Sequence, residues 1–352
     1  MIQKMFFAAL ILFFMSSWEN SSAYAKVIKK MNIYVIHSYL PGLWSKGGNR
    51  GVENALKYAN IRNGKVKVHD YNYVTERPYK DKEIAAIEKE IDQFQADLII
   101  LFDDEATEDF IGVLNKKNIP IVATGINKEI KDMSWYLSDG DPKRNFSAIL
   151  ERYPFEQPLQ LLKKINKNIN QISILTSANL SSKVIKNQMK AEFKRHGGGF
   201  AGIRLKDTIC SKNWKDWKKA IVDHQARNEA LWILVPWDVY DENGNEVKIS
   251  EISSYYAKNS KIPDLGIVSS DELMGNLASF SVSSEDLGFE AALLGINAIK
   301  SGKPLRDYPF RKVKTTRVII NKARADHLGY RIPLELLEFA TVEKKIPVES
   351  SR

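Results

Sequence analysis

The chain has 352 residues, of which 44% are hydrophobic and 27% charged, with 52 basic against 43 acidic side chains and a formal net charge of +9. This composition excludes a disordered chain and a fibre, and the length favours two domains, each with its own core. The single cysteine, Cys210, excludes an internal disulfide and every multi-cysteine metal or iron–sulfur site.

Lys4 precedes a continuous apolar stretch from Met5 to Met15, and the polar segment that follows ends in Ala23-Tyr24-Ala25. That order reads as a secretory signal peptide over residues 1–25, cleaved after Ala25; its apolar part is shorter than the ~18 residues that cross a bilayer. The mature protein is expected in the periplasm, a compartment without ATP, which weighs against a kinase or NTPase.

Residues 32–37 (NIYVIH) read as a buried strand and 50–59 as a helix; 65–71 alternate at period two. Ile84, Ile87 and Ile91 recur at helical spacing within 81–94. A strand at 97–102, a helix at 107–115 and a strand at 119–124 follow. This repeated βα pattern predicts a parallel sheet with helices on both faces. After a Pro-, Asp- and Gly-rich stretch at 138–142 the pattern restarts: helix 156–165, strand 171–176, helix 183–196, strand 202–205, helix 214–224, and strands 230–235 and 265–268. Gly197-Gly198-Gly199 reads as a helix-ending turn rather than a phosphate loop. Asn243-Gly244 predicts a hairpin with a type I′ turn inside 238–249. Ser283 opens a helix to Ser301, with Asp286 at capping-box spacing and Gly302 and Pro304 as the stop. A strand at 317–320 and a short helix at 322–327 complete the reading.

The lysines are interspersed with acids, as in 212–219, so the basic balance reads as a solvated surface; no zinc-finger spacing, aromatic RNA motif or basic arm points to nucleic acid. Nucleophile-elbow, metalloprotease and P-loop motifs are absent, and the five histidines show no ligand spacing. No carboxylate pair is fixed in acid/base geometry. An enzyme, a metal and a cofactor are therefore not expected.

Open α/β sheets bind ligands at the carboxyl ends of their strands. Reading those ends yields Ser38, Tyr39 and Trp44, with Gly47-Gly48-Asn49-Arg50-Gly51 opening a helix, then Asp103, Asp104 and Glu105, then Gly125 and Asn127. In the second half come Ser177, Asn179 and Ser181, then Trp237, Asp238 and Tyr240, then Ser269, Ser270 and Asp271. Hydroxyls, amides and helix N-termini suit an anion, the aspartates an ammonium group, and the aromatics a flat or apolar body. Asp103-Asp104-Glu105 also fits the acidic first turn of a helix, with Thr107 available as its cap.

Ile36-His37-Ser38-Tyr39 with Trp44, the strand followed by Asp103-Asp104-Glu105-Ala106, and the run Ile119 to Asn127 (IPIVATGIN) resemble segments of bacterial type I periplasmic solute-binding proteins. The similar branch is the ABC-transporter substrate-binding-like family often found beside sensor histidine kinases. Gly288-Phe289-Glu290-Ala291-Ala292, Lys300 to Pro304, Asn321-Lys322-Ala323 and Leu328 to Pro333 match it in order, and the crossover at 144–153 keeps Glu151. The resemblance implies an α/β fold of two Rossmann-like lobes with parallel sheets joined by a hinge, with crossings near 139–152, 262–283 and 301–314. It places the N-terminal lobe at 26–140 plus 270–302 and the C-terminal lobe at 141–269 plus 303–345. The implied ligand contacts are Ser38, Tyr39, Trp44, Asp103, Asp104 and Asn127, to which Ser177, Asn179, Trp237 and Asp238 add the facing lobe.

The expected function is a periplasmic solute-binding protein that closes on a small polar ligand such as an amino acid. Its partner would be an inner-membrane ABC permease or, for a purely sensory role, a histidine kinase; an exported enzyme is the third reading. A monomer is expected.

Overall fold

The computed structural model describes residues 28–39, 41–71, 79–267 and 275–346; the expected signal peptide, Ser269, Ser270 and Asp271 lie outside them. The chain begins with β1 (Lys30–His37), α1 (Leu43–Tyr58), β2 (Asn63–Asp70), α2 (Tyr79–Phe94), β3 (Leu98–Phe102), α3 (Asp103–Leu114), β4 (Ile121–Ile126) and β5 (Phe146–Leu150). Next come α4 (Glu156–Ile165), β6 (Gln171–Thr176), α5 (Leu180–Arg195), β7 (Gly199–Phe200), β8 (Ile203–Cys210), α6 (Trp214–Asp223), β9 (Glu229–Ile233), α7 (Ile249–Asn259), β10 (Asp264–Gly266) and β11 (Ala278–Ser281). The last elements are α8 (Ser284–Ser301), β12 (Arg311–Lys312), β13 (Arg317–Asn321), α9 (Lys322–Leu328), α10 (Leu334–Leu337) and β14 (Thr341–Glu343).

Two sheets result. The first has the order β12-β5-β4-β3-β1-β2, every pair parallel. The second runs β14-β13-β11-β10-β9-β6-β8-β7 and is parallel except for the β11–β13 and β7–β8 pairs. Each sheet is covered on both faces, which is why β1 and β3 are apolar nearly throughout rather than alternating. Met31, Ile33 and Val35 of β1 pack with Val52 of α1 and Leu287 of α8, while Tyr34 and Ile36 pack the other way with Ile87 of α2 and Phe110 of α3. The second sheet repeats the arrangement, with α4 and α5 on one face and α6 and α7 on the other.

The chain passes between the sheets at residues 151–155, 282–283 and 313–316. β5 and β12 therefore belong to the first sheet and β11 to the second, so the sheet changes fall later than the lobe limits expected at 140, 269 and 302.

Four local expectations change. α1 starts at Leu43 rather than at 50, so its glycines lie inside the helix. The reason is contact: a Cβ on Gly51 would stand 2.0 Å from the Glu285 carbonyl oxygen, and one on Gly288 would stand 2.2 Å from that of Gly48. α3 starts at Asp103, and Thr107 donates back to the Asp103 carbonyl at 2.7 Å instead of capping. The 243–244 turn is not type I′, because Gly244 has positive φ and Asn243 does not. The Asp241 carboxylate instead accepts from the Asn243 and Asn245 amides at 2.9 and 2.8 Å, a side-chain-closed turn. The Ser283 capping box is not made, since Asp286 turns to Arg317 at 3.2 Å.

Candidate functional site

The carboxyl ends of the strands of both sheets enclose one cavity of about 560 Å³, a size suited to a small molecule. Its first wall is built where β3 turns directly into α3. Asp103 makes that turn with φ +70°, a left-handed conformation that a residue with a Cβ rarely holds. The neighbouring Gly125 has φ +72°, and a Cβ there would stand 2.9 Å from Oδ1 of Asp103. The side chain of Asp103 is aimed at α1, whose Trp44 donates its indole N–H to Oδ1 and Oδ2 at 3.0 and 3.2 Å.

Glu151, on the crossing after β5, completes a buried carboxylate pair. The Tyr153 hydroxyl donates to its Oε1, and the Asn127 side-chain amide donates to its Oε2 at 3.0 Å. Burial pushes the Glu151 carboxyl up to about 7 against the pull of those two donors. Burial also drives Asp103 well above the ordinary carboxylate range, helped by the charges of Glu151, Glu105 and Asp104 and opposed by the Trp44 N–H. At the cavity mouth the Tyr39 hydroxyl donates to Glu105 at 3.0 Å. Arg152 holds the loop after β4 in place, donating to the carbonyls of Ile126, Asn127 and Lys128 at 2.7, 3.1 and 2.9 Å.

The second wall comes from the other sheet. Asn179 caps α5 by accepting from the Ser182 amide at 2.8 Å, and its own amide donates to Asp238 at 2.9 Å. Asp238 sits at φ +59° beside the half-exposed Trp237, and Ile185, Val235 and Ile267 supply apolar surface. A third side is formed by Val282, Ser283 and the first turn of α8, with Arg50 and Arg317 alongside. Arg50 pairs with Glu285 at 3.6 Å and Arg317 with Asp286 at 3.2 Å.

Tyr39, Trp44, Asp103, Asn127, Asn179, Trp237 and Asp238 thus line a single cavity. Ser38, Asp104 and Ser177 do not, and each has a structural engagement instead. The Ser38 hydroxyl donates to the Phe102 carbonyl and accepts from the Ala106 amide, both at 2.8 Å, which satisfies an N–H that the start of α3 leaves free. Asp104 accepts from the amides of Asn127 and Lys128 at 3.2 Å, and burial pushes its carboxyl up to about 6. The Ser177 hydroxyl lies 2.9 Å from that of Ser182. Arg50, read in the sequence at the opening of a helix after the first strand, lines the cavity as well; Tyr153, Glu285 and Arg317 line it and carry no such mark in the sequence, their signal being the strand β5 and the close α1–α8 contact.

The profile described as ABC transporter substrate binding protein matches residues 30–344. Among solved structures, one similar fold is a ligand-free, open substrate binding protein with adhesive properties from Clostridium difficile, 17% identical, covering 90% of this chain and 100% of that one with a TM-score of 0.66. Another is an ABC domain in complex with L-Trp from Streptococcus pneumonia, 17% identical, covering 89% and 100%, with a TM-score of 0.59. A third is an ABC transporter solute binding protein from Agrobacterium vitis bound with alpha-D-tagatopyranose, 14% identical, covering 89% and 100%, with a TM-score of 0.53. At such identities the likeness is one of fold. No curated protein matches this chain by sequence.

Proposed function

The chain belongs to the ABC transporter substrate binding protein family, and on that premise we propose that it is an exported solute-binding protein whose two lobes close on a small polar ligand, an amino acid being the first class to test. The observation that carries this reading is the shared cavity, which draws Trp44, Asp103 and Asn127 from one sheet and Asn179, Trp237 and Asp238 from the other. A ligand touching both walls binds the closed form better than the open one and shifts the population towards it. The closed form would then dock on an inner-membrane ABC permease. The first lobe is taken as 28–150 with 284–312, the second as 156–281 with 317–346, and residues 1–25 as the export signal. Among the described residues no helix is long and apolar enough to cross a membrane.

The aromatic and carboxylate lining favours a guest with an amino group, and the similar structures with L-Trp and with alpha-D-tagatopyranose set amino acids against sugars as the classes to compare. The test is a thermal-shift screen of amino acids, nucleobases and sugars. A guest at 100 times its Kd adds about 2.7 kcal/mol, a shift of several degrees. Stabilisation by compounds that carry an amino group, amino acids or the amines related to them, is the expected result. Stabilisation by sugars alone overturns the ligand class, and silence across a broad library overturns solute binding.

A further inference from the structure

Resting on the solute-binding reading of this cavity, we infer that its guest carries a net positive charge: an organic amine or guanidine without a carboxylate of its own, whose cationic group is received by Asp103, Glu151 and Asn127. The orientation of the Asn127 side chain is settled by chemistry. Its NH₂ faces the Gly125 carbonyl at 3.4 Å, which can only accept, and Oε2 of Glu151 at 3.0 Å, which accepts when that carboxyl is ionised. Its Oδ1 is left with no hydrogen-bond partner on a residue that is only 8% exposed. A stranded buried acceptor is costly, and a guest that brings N–H donors removes that cost. Beside it, Asp103 and Glu151 already accept from Trp44, Tyr153 and Asn127 and keep further lone pairs once ionised; an ammonium or guanidinium, made of donors alone, suits these acceptors, and its charge draws the two raised carboxyls back towards ionisation.

The charge balance of the lining points the same way. Asp103, Glu105, Glu151 and Asp238 line the cavity, and among the described residues none of them closes an ion pair with a lysine or arginine, the Arg152 charge acting on Glu151 from outside the lining. The basic side chains among the described lining residues, Arg50 and Arg317, are already committed to Glu285 and Asp286. Those two acids also occupy the first turn of α8, where its dipole would otherwise favour an anion. A carboxylate on the guest would find no uncommitted cation there. The cavity is thus locally acidic in a chain whose net charge is +9. Trp44, Tyr153 and Trp237 supply faces for an apolar body or for the cation itself.

Calorimetric titration near neutral pH with matched guests tests this: tryptamine against L-tryptophan, agmatine against L-arginine, and indole-3-propionate as the anion. In at least one pair the amine should bind about tenfold or more tightly than its amino acid, and should lose about tenfold or more in Asp103→Asn and Glu151→Gln, the loss expected for one hydrogen bond to a charged group. Circular dichroism melts establish that both variants fold. Amino acids binding as tightly as their amines, binding of indole-3-propionate, or no binding by either amine overturns the inference. If another guest from the screen still binds, only the charge assignment falls; if nothing binds at all, the solute-binding reading falls with it.

Discussion

Gln188 on α5 and Asn127 after β4 meet across the cleft: the Gln188 side-chain amide donates to the Asn127 carbonyl at 2.8 Å and lies 3.4 Å from Oε1 of Glu129. A helix packed on the second sheet thereby bonds to the loop that carries a lining residue of the first. Closure of the lobes should depend on this bond. Gln188→Ala removes about 1 kcal/mol from the closed form alone and should weaken guest binding about fivefold. Titration of the guest identified by screening checks it; an unchanged Kd would separate this contact from closure.

The buried acids make the unliganded protein pH-sensitive. Glu151 titrates near 4.5 when unfolded and about 7 when folded, so the native state holds its proton longer. A raised value means stability that is complete below about pH 4.5 and lost as the pH rises through about 7, worth roughly 3 kcal/mol for this group. Asp104, raised to about 6, and Asp103 act in the same direction. Urea unfolding of wild type and Glu151→Gln at about pH 5 and about pH 8 should show a smaller loss in the variant, because Gln has no proton to lose. Equal losses would exclude Glu151 as a source of the effect.

Asp103 holds φ +70°, so substitution there separates backbone strain from charge. Asn tolerates the left-handed region and keeps an acceptor for Trp44 and Ala does neither, which predicts that Asp103→Ala loses about 2 kcal/mol more stability than Asp103→Asn, and about 1 kcal/mol more when both are made in Trp44→Phe. Denaturant melts of the two variants without guest measure the difference.

Two glycines of helices should respond in opposite ways to alanine. A Cβ on Gly51 would meet the Glu285 carbonyl oxygen at 2.0 Å, backbone against backbone, so Gly51→Ala should cost roughly 1–3 kcal/mol by forcing α1 and α8 apart. Gly112 in α3 has nothing within 4 Å of that position, and Gly112→Ala should gain up to about 1 kcal/mol from helix propensity. Thermal melts of the pair provide the comparison.

The strands that both faces of a sheet bury were legible in the sequence as apolar runs, 171–176 to the residue. β5 (FSAIL) and β11 (ASFS) were not, because serines break their apolar character and burial alone makes them strands. In β5 the Ser147 hydroxyl is accommodated by donating to the Tyr308 carbonyl at 3.0 Å, a partner 161 residues away. α7 was hidden in the same way, its Ile252 and Tyr256 diluted by Ser253 and Ser254. Missing β5 also hid Tyr153, which stands just beyond its end. Strand-end reasoning placed Asp103 and Asn127 at the cavity, but it could not separate them from Ser38 and Asp104. Those side chains turn back to bond the start of α3 and the loop after β4, a distinction made by three-dimensional partners rather than by residue type.

The passage from β11 to α8 is only Val282 and Ser283, and both residues line the cavity. So short a strap permits rotation but little sliding, and the shortest of the three passages between the sheets is at the same time part of the floor of the chamber. On the solute-binding reading, whatever rests on that floor leans on this axle, so the shape of the occupant would set the angle at which the two halves come to rest.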